Sequence, residues 1–195
     1  MEQIMPDFGN FSELLMEHWP IWFVTITLVV AAVIDGLQLK VPNWLTFPMI
    51  ISGWVYSATL SGYPWWEGLM YSLLGTVIGL ALLLPAYAIG GMGAGDVKLM
   101  AGIGAWVWCT VTLYAFALSA VIGGVIAVGM VFYRKAWDKH QNQFWMICNE
   151  IMTVKDPEKL STIAAERKPT MMLLPYGIPI AIGTIAYFAL AGMLI

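Results

Sequence analysis

Long apolar stretches alternate with short polar ones along most of this chain, and their lengths approach that of a membrane-spanning helix. Such a helix needs about 20 apolar residues to cross about 30 Å of hydrocarbon. Four stretches meet this description: Trp19–Leu37, Trp44–Leu60, Trp65–Ile89 and Met171–Ile195. A fifth uncharged run, Leu99–Tyr133, is too long for one ordinary span and slightly short for two. The pattern therefore predicts an all-α integral membrane protein.

The basic residues decide how the fifth run is divided, because cytoplasmic loops are enriched in Lys and Arg. With six spans and the amino terminus outside, all nine basic residues fall on the cytoplasmic side: Lys40, Lys98, Arg134, Lys135, Lys139, Lys155, Lys159, Arg167 and Lys168. A single span would place part of this set outside. We therefore predict a division near Trp108–Thr112. An acidic, non-cytoplasmic segment, residues 1–18, then precedes a six-helix domain, residues 19–195.

Composition supports the membrane assignment and argues against several other classes of protein. Only 11% of the residues are charged, against about 25% in soluble domains. The net charge of -3 says little, but the chain has no strongly basic face, so we expect no nucleic-acid partner. Cys109 and Cys148 have no second Cys or His at ligand spacing, so we expect neither a zinc site nor a disulfide framework. We also expect no cofactor. Residues 1–18 carry no Lys or Arg, so we expect the amino terminus to be retained.

One long polar segment, at about residues 134–170, separates the last two predicted spans. Its apolar residues recur roughly every three or four positions: Trp137, Phe144, Trp145, Cys148, Ile151 and Met152. This spacing is typical of an amphipathic helix lying at the cytoplasmic membrane interface. A solvated loop with aromatic anchors remains the alternative.

Three carboxylates lie in or beside the predicted spans, where a charged side chain is costly and therefore a functional candidate. Glu67 sits near the outer end of its span beside Trp65 and Trp66, where it can reach water. Asp35 lies at the cytoplasmic end of the first span, and Asp96 opens the fourth. The predicted topology thus brings Asp35 and Asp96 to the same membrane face.

Two acids on one face can share a proton, so that one activates water while the other protonates a leaving group. Asp96 could instead cap its helix, and Asp35 could pair with Lys40. Asp96 lies at the positive end of its own helix and Asp35 at the negative end of its own. Helix polarity therefore predicts that Asp96 carries the charge of the pair and that Asp35 holds the shared proton.

The residues around both acids resemble the motifs of one known family. Gly93-Ala94-Gly95-Asp96, followed by Val97-Lys98-Leu99, resembles the Gly-x-Gly-Asp signature of type IV prepilin peptidases. Asp35, followed by Val41, Pro42 and Asn43, resembles the first aspartate motif of that family. Pro175-Tyr176-Gly177 resembles its Pro-Tyr/Phe-Gly element. The three landmarks occur in order over about residues 20–195.

The resemblance implies an enzyme of the bacterial inner membrane that removes the basic leader of prepilins or pseudopilins at the cytoplasmic face. It implies two catalytic aspartates, Asp35 and Asp96, and no metal. The supporting residues it implies are Pro42, Asn43, Gly93, Gly95, Lys98, Pro175, Tyr176 and Gly177.

Longer members of the family carry an amino-terminal insertion with paired Cys-x-x-Cys motifs, zinc and an N-methyltransferase activity. This sequence lacks those motifs, so it resembles the short, peptidase-only form associated with tight-adherence or Flp-type pili. Its segment at 134–170 is longer than expected of the shortest members. The partners implied are the prepilin substrate and membrane lipid, and the oligomeric state stays open.

Two other functions use the same carboxylates. A small transporter could relay protons or bind a cation at Asp35 and Asp96, although transporter sites usually lie at the membrane midplane between inverted repeats. The chain has no such repeat. An intramembrane protease of the presenilin or signal-peptide-peptidase kind resembles this chain only around Asp96.

Overall fold

The backbone of residues 9–88, 91–133 and 175–194 is described by a computed structural model, and it contains helices and no β-strand in these ranges. Five helices follow one another: α1 (Gly9–Gln38), α2 (Asn43–Thr59), α3 (Trp65–Ala88), α4 (Ala94–Tyr133) and α5 (Gly177–Leu190). Each corresponds to a predicted apolar stretch, although α1 begins at Gly9, well before Trp19. The predicted amphipathic segment at 134–170 lies outside the described residues.

Helix α4 is two helices joined at Trp108, whose backbone leaves the helical region with φ 60° and ψ -169°. We call residues 94–107 its first half and residues 109–133 its second half. Met100 and Ala127 line the same cavity, whereas on one straight helix they would lie about 40 Å apart. The second half therefore folds back along the first, and the break falls within the predicted Trp108–Thr112 region.

Three of the helical segments are long and apolar enough to cross a membrane: His18–Gln38, Trp65–Ala88 and Ala94–Met130. Helices α2 and α5 are also apolar, but they have only 17 and 14 residues. Large apolar side chains point outward along α1, with Val33 57% exposed and Leu37 80% exposed. A hydrocarbon surrounding accommodates such side chains, and helices satisfy their own backbone hydrogen bonds there. The described part of the chain is thus an all-helical membrane protein.

The first half of α4 forms the centre of the protein, because every residue from Leu99 to Val107 is buried. Helix α3 reaches it through a face of small residues: Ser72, Gly75, Thr76 and Gly79. A Cβ atom added to Gly75 would collide with the carbonyl of Gly104, and one added to Gly104 would collide with the carbonyl of Gly75. Small residues permit this close approach between membrane helices, which gain van der Waals contact from it.

Hydrogen bonds fix the position of this central segment against α2 and α3. The hydroxyl groups of Ser57 and Ser72 donate to the carbonyl of Ala105 at 3.4 and 2.6 Å. The indole Nε1 of Trp106 donates to the carbonyl of Met49 at 2.9 Å. Such bonds are retained because an unsatisfied polar group in hydrocarbon is costly. The amino-terminal end of α4, which carries Asp96, is consequently held on a rigid support.

Replacing Gly75 by Ala should destabilise the protein, since the added methyl group meets backbone rather than a movable side chain. We expect a loss of about 1–3 kcal/mol of unfolding free energy, measured by equilibrium unfolding in mixed micelles. Gly129→Ala is the matched control, because a Cβ atom at Gly129 has nothing within 4 Å. Equal stability of the two variants would contradict the backbone contact between Gly75 and Gly104.

Candidate active site

Asp35 continues the buried face of α1. Val24, Leu28 and Ala31 are each 0% exposed, Asp35 is 2% exposed, and these four residues follow one another at helical spacing. The same face therefore carries apolar side chains for most of its length and a carboxyl group near its carboxyl-terminal end. Burial of this group requires a polar partner.

The partner of Asp35 is the first residue of α5. The backbone N–H of Gly177 donates to Oδ2 of Asp35 at 2.7 Å. A Cβ atom on Gly177 would lie 2.9 Å from both Cβ and Oδ2 of Asp35, so this approach requires a glycine. The N–H belongs to the first turn of α5, where backbone donors have no partner within the helix. The alternative ion pair with Lys40, an exposed residue, is not among the contacts of Asp35 in the described residues.

Asp96 is 5% exposed and is the third residue of α4. Its Oδ2 accepts a hydrogen bond of 3.2 Å from the backbone N–H of Gly93, which precedes the helix. A side chain at the third helical position that reaches back to this N–H forms one half of a capping box. Asp96 is therefore not the N-cap residue that the alternative interpretation supposed. It lies inside the first turn, with its carboxylate folded back over the Gly93–Gly95 segment.

The segment before α2 interlocks with the segment around Asp96. A Cβ atom on Gly95 would lie 3.0 Å from Cβ of Val41, and Val41 is 3% exposed. Pro42 is the N-cap of α2 with φ -76° and ψ 148°, and its carbonyl accepts from the N–H of Leu45 at 3.2 Å. Pro42 thus fixes the turn from which Val41 packs against Gly95.

A polar bridge joins the same two segments at the protein surface. Nζ of Lys98 donates to Oδ1 of Asn43 at 2.9 Å and lies 4.7 Å from the ring centroid of Phe47. Lys98 is in the early part of α4, and Asn43 and Phe47 share a face at the start of α2. Phe47 was not predicted as a site residue, although its spacing of four from Asn43 could have indicated it.

Pro175 and Tyr176 lie immediately before α5, and the carbonyl of Pro175 accepts from the N–H of Ile178 at 3.2 Å. Tyr176 is partly buried, and it lines a cavity together with Met92, the residue before Gly93. Tyr176 thus lies beside the segment that precedes Asp96, while its neighbour Gly177 binds Asp35. The turn that begins α5 contacts the surroundings of both acids.

The polarity of α5 alters the prediction that the two acids are unequal. That prediction considered the carboxyl-terminal end of α1 and the amino-terminal end of α4. The structure adds α5, whose first residue Gly177 binds Asp35. Both Asp35 and Asp96 therefore face the positive end of a helix. Helix polarity alone does not separate them, and the assignment of the shared proton stays a prediction.

Glu67 stands apart from this group of residues. It lies in the first turn of α3, next to Gly68, whose surroundings are Ser57 and Ser61 at the end of α2. This is the end of the protein opposite Asp35 and Asp96. Within the described ranges, no three His, Cys, Asp or Glu side chains gather closely enough to hold a metal ion.

Residues 22–128 match the type IV leader peptidase family, and the chain belongs to that family. The matched region contains Asp35 and Asp96, together with Pro42, Asn43, Gly93, Gly95 and Lys98.

The chain is also similar to curated proteins named prepilin leader peptidase/N-methyltransferase. It is 28% identical over 145 residues to the protein of Aeromonas salmonicida (strain A449), covering 72% of this chain and 45% of that protein. The protein of Aeromonas hydrophila is 26% identical over 72% of this chain and 46% of its own length. The protein of Stutzerimonas stutzeri is 29% identical over 120 residues, which cover 58% of this chain and 40% of that protein. The chain thus spans less than half of the length of these relatives, and no solved structure matches it.

The bridge between Lys98 and Asn43 should appear as an energetic coupling. Lys98→Met and Asn43→Ala each remove one partner, so the double variant should lose less stability than the sum of the two. We expect a coupling of about 0.5–1 kcal/mol because the pair is exposed. Equilibrium unfolding of the four proteins measures it. The same cycle with Lys40→Met in place of Lys98→Met should be additive, and additivity in both cycles would refute the bridge.

Proposed function

We propose that this chain is a membrane-embedded aspartic endopeptidase that removes the basic leader of type IV prepilins or pseudopilins at the cytoplasmic face of the bacterial inner membrane. Membership of the type IV leader peptidase family supports the reaction class. The observation that carries the proposal is the convergence at Asp35 and Asp96. Gly177 binds Asp35, while its neighbour Tyr176 lines a cavity with Met92, the residue before the Gly93 that binds Asp96.

In the proposed reaction, a water molecule lies between the two carboxyl groups, one ionised and the other protonated. The ionised acid takes a proton from the water molecule, while the oxygen of that water bonds to the carbonyl carbon of the scissile peptide. The protonated acid then gives its proton to the peptide nitrogen as the C–N bond breaks. The backbone donors of Gly177 and Gly93 each hold one carboxylate oxygen, so both acids are oriented before substrate arrives.

The two glycines before Asp96 have different roles in this proposal. Gly95 packs against Val41, so its missing side chain serves the contact between α4 and the α2 turn. The nearest atom to a Cβ placed on Gly93 would be Oδ2 of Asp96, at 3.1 Å. Gly93 is therefore the position at which a substrate strand can approach the acid without a side chain between them.

The proposed topology has six spans, with the amino terminus outside and the catalytic end cytoplasmic. The fold-back of α4 at Trp108 supports the count, because it turns one long apolar run into two antiparallel helices. Lys98 contacts the start of α2 close to Asp96. Since basic residues are enriched on the cytoplasmic side of a membrane, this contact supports placing the two carboxylates on that side. The shorter helices α2 and α5 are accommodated by tilt and local thinning of the bilayer.

We also propose that residues 19–195 form the peptidase domain and that this domain has no N-methyltransferase activity. The names of the similar proteins include both a peptidase and an N-methyltransferase. The chain covers less than half of each. We propose the peptidase reaction alone for the six-helix domain at 19–195, with membrane lipid and a prepilin as its partners.

Asp35→Asn and Asp96→Asn should each abolish leader removal from a co-expressed prepilin. The amide can neither accept the proton from water nor donate one to the leaving nitrogen, so we expect a loss of at least about a thousandfold. A gel-shift assay of the prepilin measures cleavage. Glu67→Gln removes an acid at the opposite end of the bundle and should cleave at the wild-type rate. Full activity of either aspartate variant would refute the paired mechanism.

Gly177→Ala should impair cleavage because the new methyl group displaces Asp35 and lengthens its hydrogen bond. A misplacement of this size costs about a hundredfold in rate. Gly36→Ala is the matched control beside the same aspartate, since its Cβ atom would make an ordinary 3.5 Å contact with Ile178. We expect initial cleavage rates at equal membrane levels to separate the two variants. Similar rates would show that the Gly177 contact does not position Asp35 for catalysis.

A further inference from the structure

The outward face of α2 is apolar from its first turn onward. Its large side chains are exposed and recur every three or four positions, and we call them the α2 stripe: Trp44, Phe47, Ile51 and Val55. The opposite face, which includes Thr46, Met49 and Gly53, is buried against the rest of the protein. Residues at this spacing lie on one side of a helix. The α2 stripe therefore faces the hydrocarbon of the membrane.

A positive charge lies on this same face, at the end where α2 begins. Nζ of Lys98 is 4.7 Å from the ring centroid of Phe47 and donates to Oδ1 of Asn43, the first residue of α2. The long side chain of Lys98 thus carries its ammonium group from α4 to the lipid-facing side of α2. Tryptophan side chains such as Trp44 are enriched at the boundary between lipid and water. This ammonium group therefore lies at the depth of the lipid head groups.

A second basic residue, Lys40, flanks the same turn. It is exposed and directly precedes Val41, which packs against Gly95. The carboxylates at this end, Asp35 and Asp96, are only 2% and 5% exposed, and each accepts a hydrogen bond from a backbone N–H. The other acids of the described residues lie near the opposite ends of α1 and α3. In the part of the chain that the structure describes, the exposed charge at this end is therefore positive.

We propose that Lys98, together with Lys40, binds the phosphate group of an anionic phospholipid whose acyl chains lie along the α2 stripe. The occupant carries a negative charge next to an apolar body, because the two ammonium groups adjoin the α2 stripe. A free phosphate ion would match the charge alone, and a zwitterionic lipid carries a cation of its own beside the phosphate. One ammonium group near a membrane surface favours an anionic lipid by about fivefold.

This lipid site adjoins the backbone that carries Asp96. Lys98 follows Asp96 by two residues, and its bond to Asn43 joins α4 to α2. A phosphate group bound to Lys98 would thus contact the joint between two segments that form the candidate active site. The binding itself does not depend on the proposed peptidase reaction, so failure of one proposal leaves the other standing.

The test measures which lipid lies against Trp44 in vesicles of phosphatidylcholine mixed with phosphatidylglycerol. Bromine atoms on the acyl chains of one of the two lipids quench tryptophan fluorescence. The contribution of Trp44 is the difference between each protein and its Trp44→Phe counterpart. In the wild type, the relative association constant should favour phosphatidylglycerol. It should fall about fivefold in Lys98→Met and in Lys40→Met, the loss expected for one ammonium group.

Lys98→Arg keeps the charge in place and should keep the wild-type preference. Lys159→Met removes the same charge from another part of the chain and should keep the preference as well. Concentrated salt screens exposed charges, so it should abolish the preference of the wild type, a result that needs no substitution. Equal quenching by both lipids in the wild type, a preference that survives salt, or an unchanged constant in either Lys98→Met or Lys40→Met would overturn the proposal. An equal fall in Lys159→Met would indicate diffuse attraction and overturn it as well.

Discussion

The hydrogen bond from Gly177 to Asp35 is the contact on which the arrangement of the site depends. It joins residues 142 positions apart and brings the start of the last described helix against the end of the first. The bond requires both a buried carboxylate and a residue without a side chain, because any Cβ atom at Gly177 would overlap Asp35. Tyr176, next to Gly177, and Met92, next to Gly93, line one cavity, so this contact brings the three motifs together.

The central helical segment supplies the rigidity that this contact needs. Residues 99–107 are buried by neighbours on several sides, and the Gly75–Gly104 contact brings two backbones together. In a bilayer there is no hydrophobic force between helices, so close packing and internal hydrogen bonds carry the association. Asp96 lies in the same half of α4, just before residues 99–107, so its backbone is held in place by their packing. A single packing principle, small residues at helix contacts, thus holds the core and admits Gly177 to Asp35.

Much of this architecture could be predicted from local sequence features. Apolar length predicted the helices, and the distribution of basic residues predicted the break that occurs at Trp108. The high cost of charge in lipid directed attention to Asp35 and Asp96. Contacts between distant segments could not be predicted this way, since nothing near Gly177 indicates which side chain it meets. Nor does the sequence reveal that Leu39, a residue with a side chain, takes a positive φ of 52° after α1. Tertiary packing imposes the Gly177 contact, whereas Leu39 is an exposed residue directly after α1 whose N–H donates to the carbonyl of Asp35 at 2.8 Å.

The central claim is that Asp35 and Asp96 face each other at one end of the bundle. It is tested most directly by cross-linking an Asp35→Cys/Asp96→Cys variant in native membranes, with Cys109 and Cys148 replaced by Ser. A short, rigid bismaleimide should join the two new thiols within one molecule. An Asp35→Cys/Glu67→Cys variant, whose positions lie at opposite ends, should stay unlinked. Failure of the first pair to react, with both thiols accessible to a monofunctional maleimide, would contradict the account.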